Sequence, residues 1–195
     1  MNDFCNICGT IGHFKDYNGR KKVRCKSCGS LERHRKHFNM LKKKRYFFNE
    51  DTILLISPAK CMETSLTKMS FKCDTMDIVE GRAKITADIT QMPFTDKEYE
   101  FIYCSHVLEH VKDDRKAIRE MYRVLKPGCY LFLCVPVSNI DKTVEIEYNN
   151  NRERQRWYGH PDHVRKYGKD VIKRITEAGF KVNQLDYDTF AGLKC

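Results

Sequence analysis

Residues 52–56 read Thr-Ile-Leu-Leu-Ile, a run in which the last four side chains are all apolar. A strand with one face in water alternates apolar and polar side chains, whereas a strand covered by helices on both faces is apolar throughout. The runs Phe101-Ile102-Tyr103-Cys104 and Cys129–Val135 have the same character. These three runs predict the central strands of a mostly parallel sheet.

Helices and further strands alternate on either side of these runs. Patterns with helical period predict helices near Cys61–Met69, Asp113–Leu125 and Gly168–Ala178. Further strands are predicted at Phe71–Met76, Ala83–Ala87 and Phe180–Leu185. Such alternation is typical of an α/β protein with a Rossmann-like, doubly wound sheet, which we assign to residues 51–195.

The first thirty residues carry two pairs of closely spaced cysteines. Cys5 and Cys8 form one pair, Cys25 and Cys28 the other, and 16 residues separate the pairs. Two Cys-x-x-Cys-Gly turns supply the four thiolates of a closed tetrahedral zinc site, and so short a segment has little apolar core of its own. We therefore predict a zinc ribbon over residues 1–30, with a redox dithiol or an iron site as the alternatives.

Positive charge is concentrated in the same part of the chain. Residues 1–50 contain 13 Lys or Arg and 4 Asp or Glu, whereas the remaining residues contain 23 and 22. We predict a basic linker helix over residues 31–50, with Ser30 as its N-cap and Leu31, His34, Phe38 and Leu41 on its apolar face. The charge is compatible with nucleic acid as a partner, but a solvated basic helix is the favoured interpretation.

Residues 138–163 interrupt the alternating pattern as a long polar insertion. A connection of this length usually has a function, so we predict that residues 138–167 form the substrate-binding side of a pocket. Within it, His163 and Arg165 are candidates to bind an anionic substrate group. A solvated loop is the alternative.

Several consecutive blocks resemble a known family. Asp88–Phe94, Tyr99–Val111 and Asp113–Gly128 are similar to the middle of class I S-adenosylmethionine-dependent methyltransferases. Cys28–Arg35 and Gly159–Gly168 resemble a bacterial branch of that superfamily that has an N-terminal four-cysteine zinc ribbon. The resemblance covers roughly residues 50–185 and implies S-adenosylmethionine as the cofactor, in addition to Zn²⁺.

The resemblance also implies positions for the cofactor. In an open α/β sheet, ligands bind outside the carboxyl ends of the strands. Asp77 is expected to contact the ribose, with Asp74 as the alternative. Asp88 and Ile89 are expected to contact the adenine. For each Asp, a role in a turn or a helix cap is the competing interpretation. The remaining expected cofactor residues are Ser57, Pro58, Cys104 and Ser105. His106, at the end of the fourth strand, is a candidate catalytic base, and His160 and His163 in the insertion are further candidates for that role.

One part of the chain departs from the family pattern. The glycine-rich turn that normally follows the first strand is replaced by Ser57-Pro58-Ala59-Lys60, and no glycine occurs between Gly29 and Gly81. The ribbon-bearing branch also tends to lack these glycines. The departure keeps a non-catalytic, cofactor-binding relative among the alternatives.

The function that follows is methyl transfer to a small-molecule or sugar-linked acceptor, such as an anionic glycan precursor. The alternatives are an RNA- or protein-directed methyltransferase that uses the basic ribbon, and the non-catalytic relative. No run approaches the length of a membrane span, and the first residues lack the pattern of a secretory signal. We therefore expect a cytoplasmic protein without membrane contact.

The zinc site generates the first testable prediction. Elemental analysis of purified protein should find one Zn²⁺ per chain bound by Cys5, Cys8, Cys25 and Cys28, with sulfurs at about 2.3 Å. Cys25→Ser should release the ion and unfold the ribbon but leave most of the sheet intact, because the sheet has its own core. Protein that contains neither zinc nor iron would contradict the assignment.

Overall fold

A computed structural model describes residues 4–12, 14–147, 150–185 and 189–194. Two sheets are present in these residues, one of two strands and one of seven. The two-stranded sheet pairs β1 (Phe14–Tyr17) with β2 (Arg20–Cys25) in antiparallel orientation, and helix α1 (Glu32–Lys44) follows it. The small sheet lies between the two cysteine pairs, as a ribbon requires.

The larger sheet and its helices occupy the rest of the chain. Its strands are β3 (Thr52–Ile56), β4 (Lys72–Asp77), β5 (Ile85–Thr86), β6 (Tyr99–Ser105), β7 (Leu125–Cys134), β8 (Phe180–Gln184) and β9 (Thr189–Lys194). The helices are α2 (Lys60–Leu66), α3 (Asp114–Val124), α4 (Asn151–Tyr158) and α5 (Val171–Glu177), and a 3-10 turn covers Leu108–His110.

The strand order in this sheet is β5-β4-β3-β6-β7-β9-β8. Strands β3 to β7 pair in parallel, whereas β9 runs antiparallel to both of its neighbours. From β3 the chain builds outward through β4 and β5, then returns to the other side of β3 and builds outward through β7. The predicted Rossmann-like, doubly wound sheet is confirmed, and its topological switch point lies between β3 and β6.

The two faces of the sheet are covered by different helices. On one face Leu54 and Ile56 join a buried cluster with α3 and α5. On the other face Ile53 and Leu55 join a cluster with α1 and α2. Because successive side chains of a strand point to opposite faces, the continuous apolar run at residues 52–56 supplies both clusters.

Helix α1 packs against the sheet along one side instead of being solvated all round. Phe38 and Leu41 are buried, and His37 donates to or accepts from the Tyr103 hydroxyl, with its Nδ1 2.9 Å from that oxygen. The helix begins at Glu32 after Leu31, so the expectation that Ser30 is its N-cap is corrected. Ser30 is fully buried. Its hydroxyl lies within hydrogen-bonding distance of the Cys5 and Cys28 thiols.

Two elements were not predicted. Strand β9 has the sequence Thr-Phe-Ala-Gly-Leu-Lys, in which Ala and Gly have little intrinsic preference for strands. It forms because its backbone pairs with β7 on one side and β8 on the other. Helix α4 lies inside the polar insertion, where Asn150 caps its first turn by accepting from the Glu153 N–H at 2.9 Å.

The insertion after β7 is tied back to the domain by its own hydrogen bonds. Single bridges join Val137 to Tyr167 and Val144 to Lys166. The Tyr158 hydroxyl accepts from the Ile146 N–H at 2.7 Å and lies 2.8 Å from the Ile146 carbonyl oxygen. The end of α4 is therefore fixed to the strand-like segment that precedes it.

Arg165 is the centre of a buried group of charges that fixes the same segment. Its guanidinium donates to the carbonyls of Leu108 (2.6 Å), Val111 and Lys112 (2.7 Å) and to the Glu145 carboxylate (2.7 Å). The Asp114 Oδ2 lies 3.6 Å from Nε of Arg165. The Asp114 carboxylate accepts hydrogen bonds from Arg174 and Tyr167.

Arg165 is 3% exposed, so its position contradicts the expected role in binding an anionic substrate. All the groups it contacts belong to the chain itself, and its guanidinium joins the insertion to the start of α3. We therefore remove Arg165 from the candidate catalytic and substrate-binding residues.

The described residues contain no helix long and apolar enough to cross a membrane.

The position of Arg165 generates a stability prediction. Arg165→Met should lower the free energy of unfolding by about 3–5 kcal/mol, because it leaves the buried Asp114 carboxylate with one fewer cation. Urea unfolding measures this change. The matched control is Lys166→Met, at an exposed neighbouring position, which should change stability by less than about 0.5 kcal/mol. A fully stable Arg165→Met variant with weakened substrate binding would restore the original assignment.

Candidate functional site

A cavity of about 910 Å³ opens at the carboxyl edge of the sheet, beside the switch point. Its walls come from the residues that follow β3, β4, β5 and β6, from the first turn of α1 and from the 3-10 turn. The volume lies at the upper end of the range for small-molecule and cofactor sites, about 300–1,000 Å³. Both the position and the size therefore suit a cofactor together with a part of a second ligand.

The turn after β3 has the backbone conformation that a glycine would favour, although it contains none. Ser57 has φ +44°, in the left-handed region, and its N–H donates to the Met76 carbonyl at 2.7 Å. Pro58 follows, and Ala59 is the N-cap of helix α2. Both Ser57 and Pro58 line the cavity. The sequence departs from the family here, but the chain still makes a tight left-handed turn.

Asp77 ends β4 and faces the cavity. It is 8% exposed, and its Oδ1 accepts from the Val79 N–H at 2.8 Å. Ile78 and Val79 also line the cavity and are 68% and 46% exposed, so two aliphatic side chains stand open beside the carboxylate. Asp74 lies elsewhere: it accepts from the Tyr99 hydroxyl at 3.1 Å and does not line the cavity.

Asp88 and Ile89 follow β5 and form the neighbouring wall. Asp88 is exposed, and its Oδ1 accepts from the Thr90 N–H at 2.7 Å, which closes a local turn. Ile89 is 6% exposed and packs into the core next to the cavity. The turn role weighed for Asp88 is thus present, and its position on the cavity wall leaves the ligand role open as well.

Of the three residues expected near the cofactor at the end of β6, two line the cavity and one lies in the core. Ser105 and His106 line the cavity. Cys104 is fully buried in the cluster beneath α3, and burial raises its thiol pKa far above the ordinary value. The expected contact of the Cys104 side chain with the cofactor is corrected, because alternation along the strand turns it to the opposite face from Ser105.

His106 is held by a buried carboxylate. Its Nδ1 lies 3.0 Å from Oε1 of Glu109, which is fully buried, and its Nε2 lies 3.9 Å from the Cys134 thiol. His106 also has φ +56°, a left-handed conformation that is uncommon without glycine. A carboxylate oxygen accepts only, so the proton of a neutral His106 ring is held on Nδ1 and Nε2 keeps its lone pair.

His163 does not line the cavity but packs against His110, which does. Its ring centroid is 4.7 Å from that of His110 and 5.0 Å from that of His160, and among these three only His110 lines the cavity. Burial lowers the His163 pKa below its ordinary value, and the neighbouring histidines add to this effect while Glu109 opposes it. The structure therefore brings His163 close to the cavity without exposing it there.

Among the cavity residues that the sequence did not indicate are Arg33 and His34, in the first turn of α1. The His34 Nδ1 lies 3.2 Å from the Leu31 nitrogen and 3.4 Å from the Cys61 thiol, and burial lowers its pKa to about 4. The amphipathic pattern indicated that this side of α1 is covered. It carried no signal for which part of the sheet covers it.

The four ribbon cysteines converge. The sulfurs of Cys5 and Cys28 are 3.6 Å apart, those of Cys8 and Cys25 are 3.7 Å apart, and all four lie within 4.8 Å of one another. Four sulfurs at about 2.3 Å from one tetrahedral ion would be separated by about 3.8 Å. The thiols therefore fit a zinc ion without rearrangement of the backbone.

Comparison with known proteins places this geometry in a family. A family model described as a methyltransferase domain matches residues 37–133. The structure is similar to that of the YcgJ protein from Bacillus subtilis, with a TM-score of 0.63 and 21% identity over 78% of this chain and 71% of that one. The chain carries a methyltransferase domain of the S-adenosylmethionine-dependent kind.

Two curated relatives are similar to this chain over shorter stretches. A demethylmenaquinone methyltransferase of Mycobacterium marinum is 40% identical over 68 residues, which is 33% of this chain and 29% of that protein. The ubiquinone/menaquinone biosynthesis C-methyltransferase UbiE of Pectobacterium carotovorum is 41% identical over 72 residues, 37% of this chain and 29% of that protein. The matched stretch thus spans less than a third of either relative.

The two aspartates generate a matched binding prediction. Asp77→Asn should weaken S-adenosylmethionine binding by about 1–3 kcal/mol, five- to 150-fold in Kd, because an amide cannot accept from two ribose hydroxyls as a carboxylate does. Asp74→Asn, the control, should leave the Kd unchanged. Isothermal titration calorimetry measures both. The opposite ranking of the two variants would move the ribose contact to Asp74.

Proposed function

We propose that this methyltransferase transfers the methyl group of S-adenosylmethionine to a small-molecule acceptor. The observation that carries the proposal is the cavity at the switch point, which is open beside Asp77 and large enough for more than a cofactor alone. A left-handed turn at Ser57 and an acidic group at the end of the next strand form its floor.

The residues on the cavity wall fit the parts of the cofactor. The Asp77 carboxylate has one oxygen bound to Val79 and a second with no partner among the described residues, so it is available for ribose hydroxyls. Ile78, Val79 and Ile89 offer apolar surface for the adenine ring, and Asp88 offers an acceptor for its amino group. The backbone of the Ser57–Pro58 turn would contact the methionine part.

When bound, the cofactor supplies a methyl carbon already activated by its sulfonium, so the chain contributes mainly position. Ser105 ends β6 and His106 follows it, on the side of the cavity next to the switch point. If the acceptor arrives protonated, Nε2 of His106 takes the proton. Glu109 is a positioning residue in this scheme, because its carboxylate holds the proton of a neutral His106 on Nδ1.

Two observations favour a small molecule over nucleic acid. The curated relatives above are quinone-pathway methyltransferases by name, which supports a small-molecule acceptor, whereas a sugar-linked or anionic acceptor rests on the sequence resemblance alone. In addition, Phe38 and Phe47 of the basic region, residues 1–50, are buried in the core, although Phe4 and Phe48 are exposed. Two of the aromatic rings in this region are therefore not available for the stacking that single-stranded nucleic acid needs.

A label-transfer experiment tests the proposal. The protein is incubated with methyl-labelled S-adenosylmethionine and, separately, with the small-molecule, RNA and protein fractions of a cell extract. Label should enter the small-molecule fraction alone, because the acceptor must reach the cavity. His106→Asn should lower this transfer by about 10²–10⁴-fold while cofactor affinity is kept, the usual contribution of a positioned base.

The Asp77→Asn variant is the control for cofactor dependence, since its transfer should recover at high cofactor concentration. Label confined to RNA or protein would assign the acceptor to that class instead. Cofactor binding with no transfer to any fraction would identify a non-catalytic relative.

A further inference from the structure

We propose that His110, His160 and His163 bind a divalent transition-metal ion at the mouth of the cavity. His110 ends the 3-10 turn, and His160 and His163 follow α4 in the insertion. Their ligand nitrogens all lie within 4.8 Å of one another. This site is separate from the four-cysteine ribbon and lies in a different part of the chain.

The main chain sets the spacing of the three rings. The Val164 N–H donates to the Glu109 carbonyl at 2.9 Å, so the residue after His163 is bound to the residue before His110. The His163 N–H donates to the His160 carbonyl at 3.3 Å, which folds the two insertion histidines into one turn. The convergence thus follows from backbone hydrogen bonds and does not depend on flexible side chains alone.

The most buried ring of the three, His163, has one nitrogen within hydrogen-bonding distance of a backbone carbonyl. Nδ1 of His163 lies 3.2 Å from the Tyr158 carbonyl oxygen, which can only accept a hydrogen bond. The proton of a neutral His163 ring is therefore on Nδ1, and Nε2 has a free lone pair. A ligating histidine almost always donates its other N–H to a carbonyl or carboxylate in this way.

A buried negative charge accompanies the rings. Glu109 is fully buried, and its Oε2 has no hydrogen-bond partner among the described residues, although Oε1 is bound to His106. The carboxylate is near enough to His163 for its charge to act on that ring. An unpaired carboxylate oxygen in a core is costly, and a cation bound beside it would offset that cost.

Three imidazoles favour Zn²⁺ or a neighbouring first-row ion over Mg²⁺ or Ca²⁺, which prefer oxygen ligands. Three nitrogens around Zn²⁺ at about 2.05 Å are about 3.4 Å apart, so separations of up to 4.8 Å would have to close by at most about 1.4 Å. Three protein ligands leave a fourth position open, and His110 and Asp162 line the cavity. Use of that position by an acceptor oxygen rests on the proposed function, whereas binding of the ion does not.

Metal titration of the untagged, full-length protein tests the site. Zinc is titrated by calorimetry into protein that already carries one equivalent in the ribbon. A second equivalent should bind, and His160→Gln and His110→Gln should each weaken it by at least about tenfold, since even outer-shell losses cost 10–100-fold. Both histidines are exposed, so both variants should fold normally. Lys166→Gln, in the same segment, is the matched control and should bind as the unmodified protein does.

Co²⁺ provides a second readout that separates the two kinds of site. Cobalt in the histidine site should give visible d–d absorption without sulfur-to-cobalt charge transfer, whereas cobalt in the ribbon gives both. A total of only one bound equivalent per chain, the one in the ribbon, would overturn the proposal. So would a second equivalent that binds with unchanged affinity in both histidine variants. Neither outcome would bear on methyl transfer, because the titration contains no cofactor.

Discussion

The parallel pairing of β3 with β6 is the constraint on which the rest of the molecule depends. It joins Ile53–Ile56 to Phe101–Cys104, two buried apolar runs, and it marks the point where the chain reverses its direction of growth. Connections leave the two strands toward opposite edges of the sheet, so nothing covers the gap between their carboxyl ends. The cavity exists because of that gap, and the turns at Ser57 and His106 are its nearest walls.

Both turns take left-handed backbone conformations without glycine. Such conformations cost of order 1–3 kcal/mol and persist where the surrounding structure enforces them. At Ser57 the enforcement comes from the hydrogen bond to Met76, and at His106 from the N–H bond to the Cys134 carbonyl at 2.9 Å. Strain at the edge of a ligand cavity is thus held by the neighbouring strands.

The N-terminal ribbon and the polar insertion are joined to the sheet by different physical means. The ribbon packs by apolar contact, because Ile7 and Cys28 lie against the cluster that α1 and α2 form on the sheet. The insertion is held by charge, because Arg165 and Arg174 share Asp114 and Glu145 in a largely buried group. One attachment brings Arg33 and His34 to the cavity, and the other brings the three histidines to its mouth.

The sequence by itself determined the class of the fold, the central strands and the grouping of the four cysteines. Each of these depends on local pattern: a run that is apolar on both faces, or two sulfurs separated by the two residues that one tight turn needs. It also indicated Ser57, Asp77, Ile89 and Ser105, because residues that end parallel strands share one edge of the sheet. Only the tertiary structure decided the rest. Cys104 lies on the same strand as Ser105, but strand alternation turns its side chain into the core. Arg165 is buried and paired with Asp114 and Glu145. Strand β9 and the convergence of His110 with His160 and His163 arise from pairings between distant segments, which no local pattern specifies.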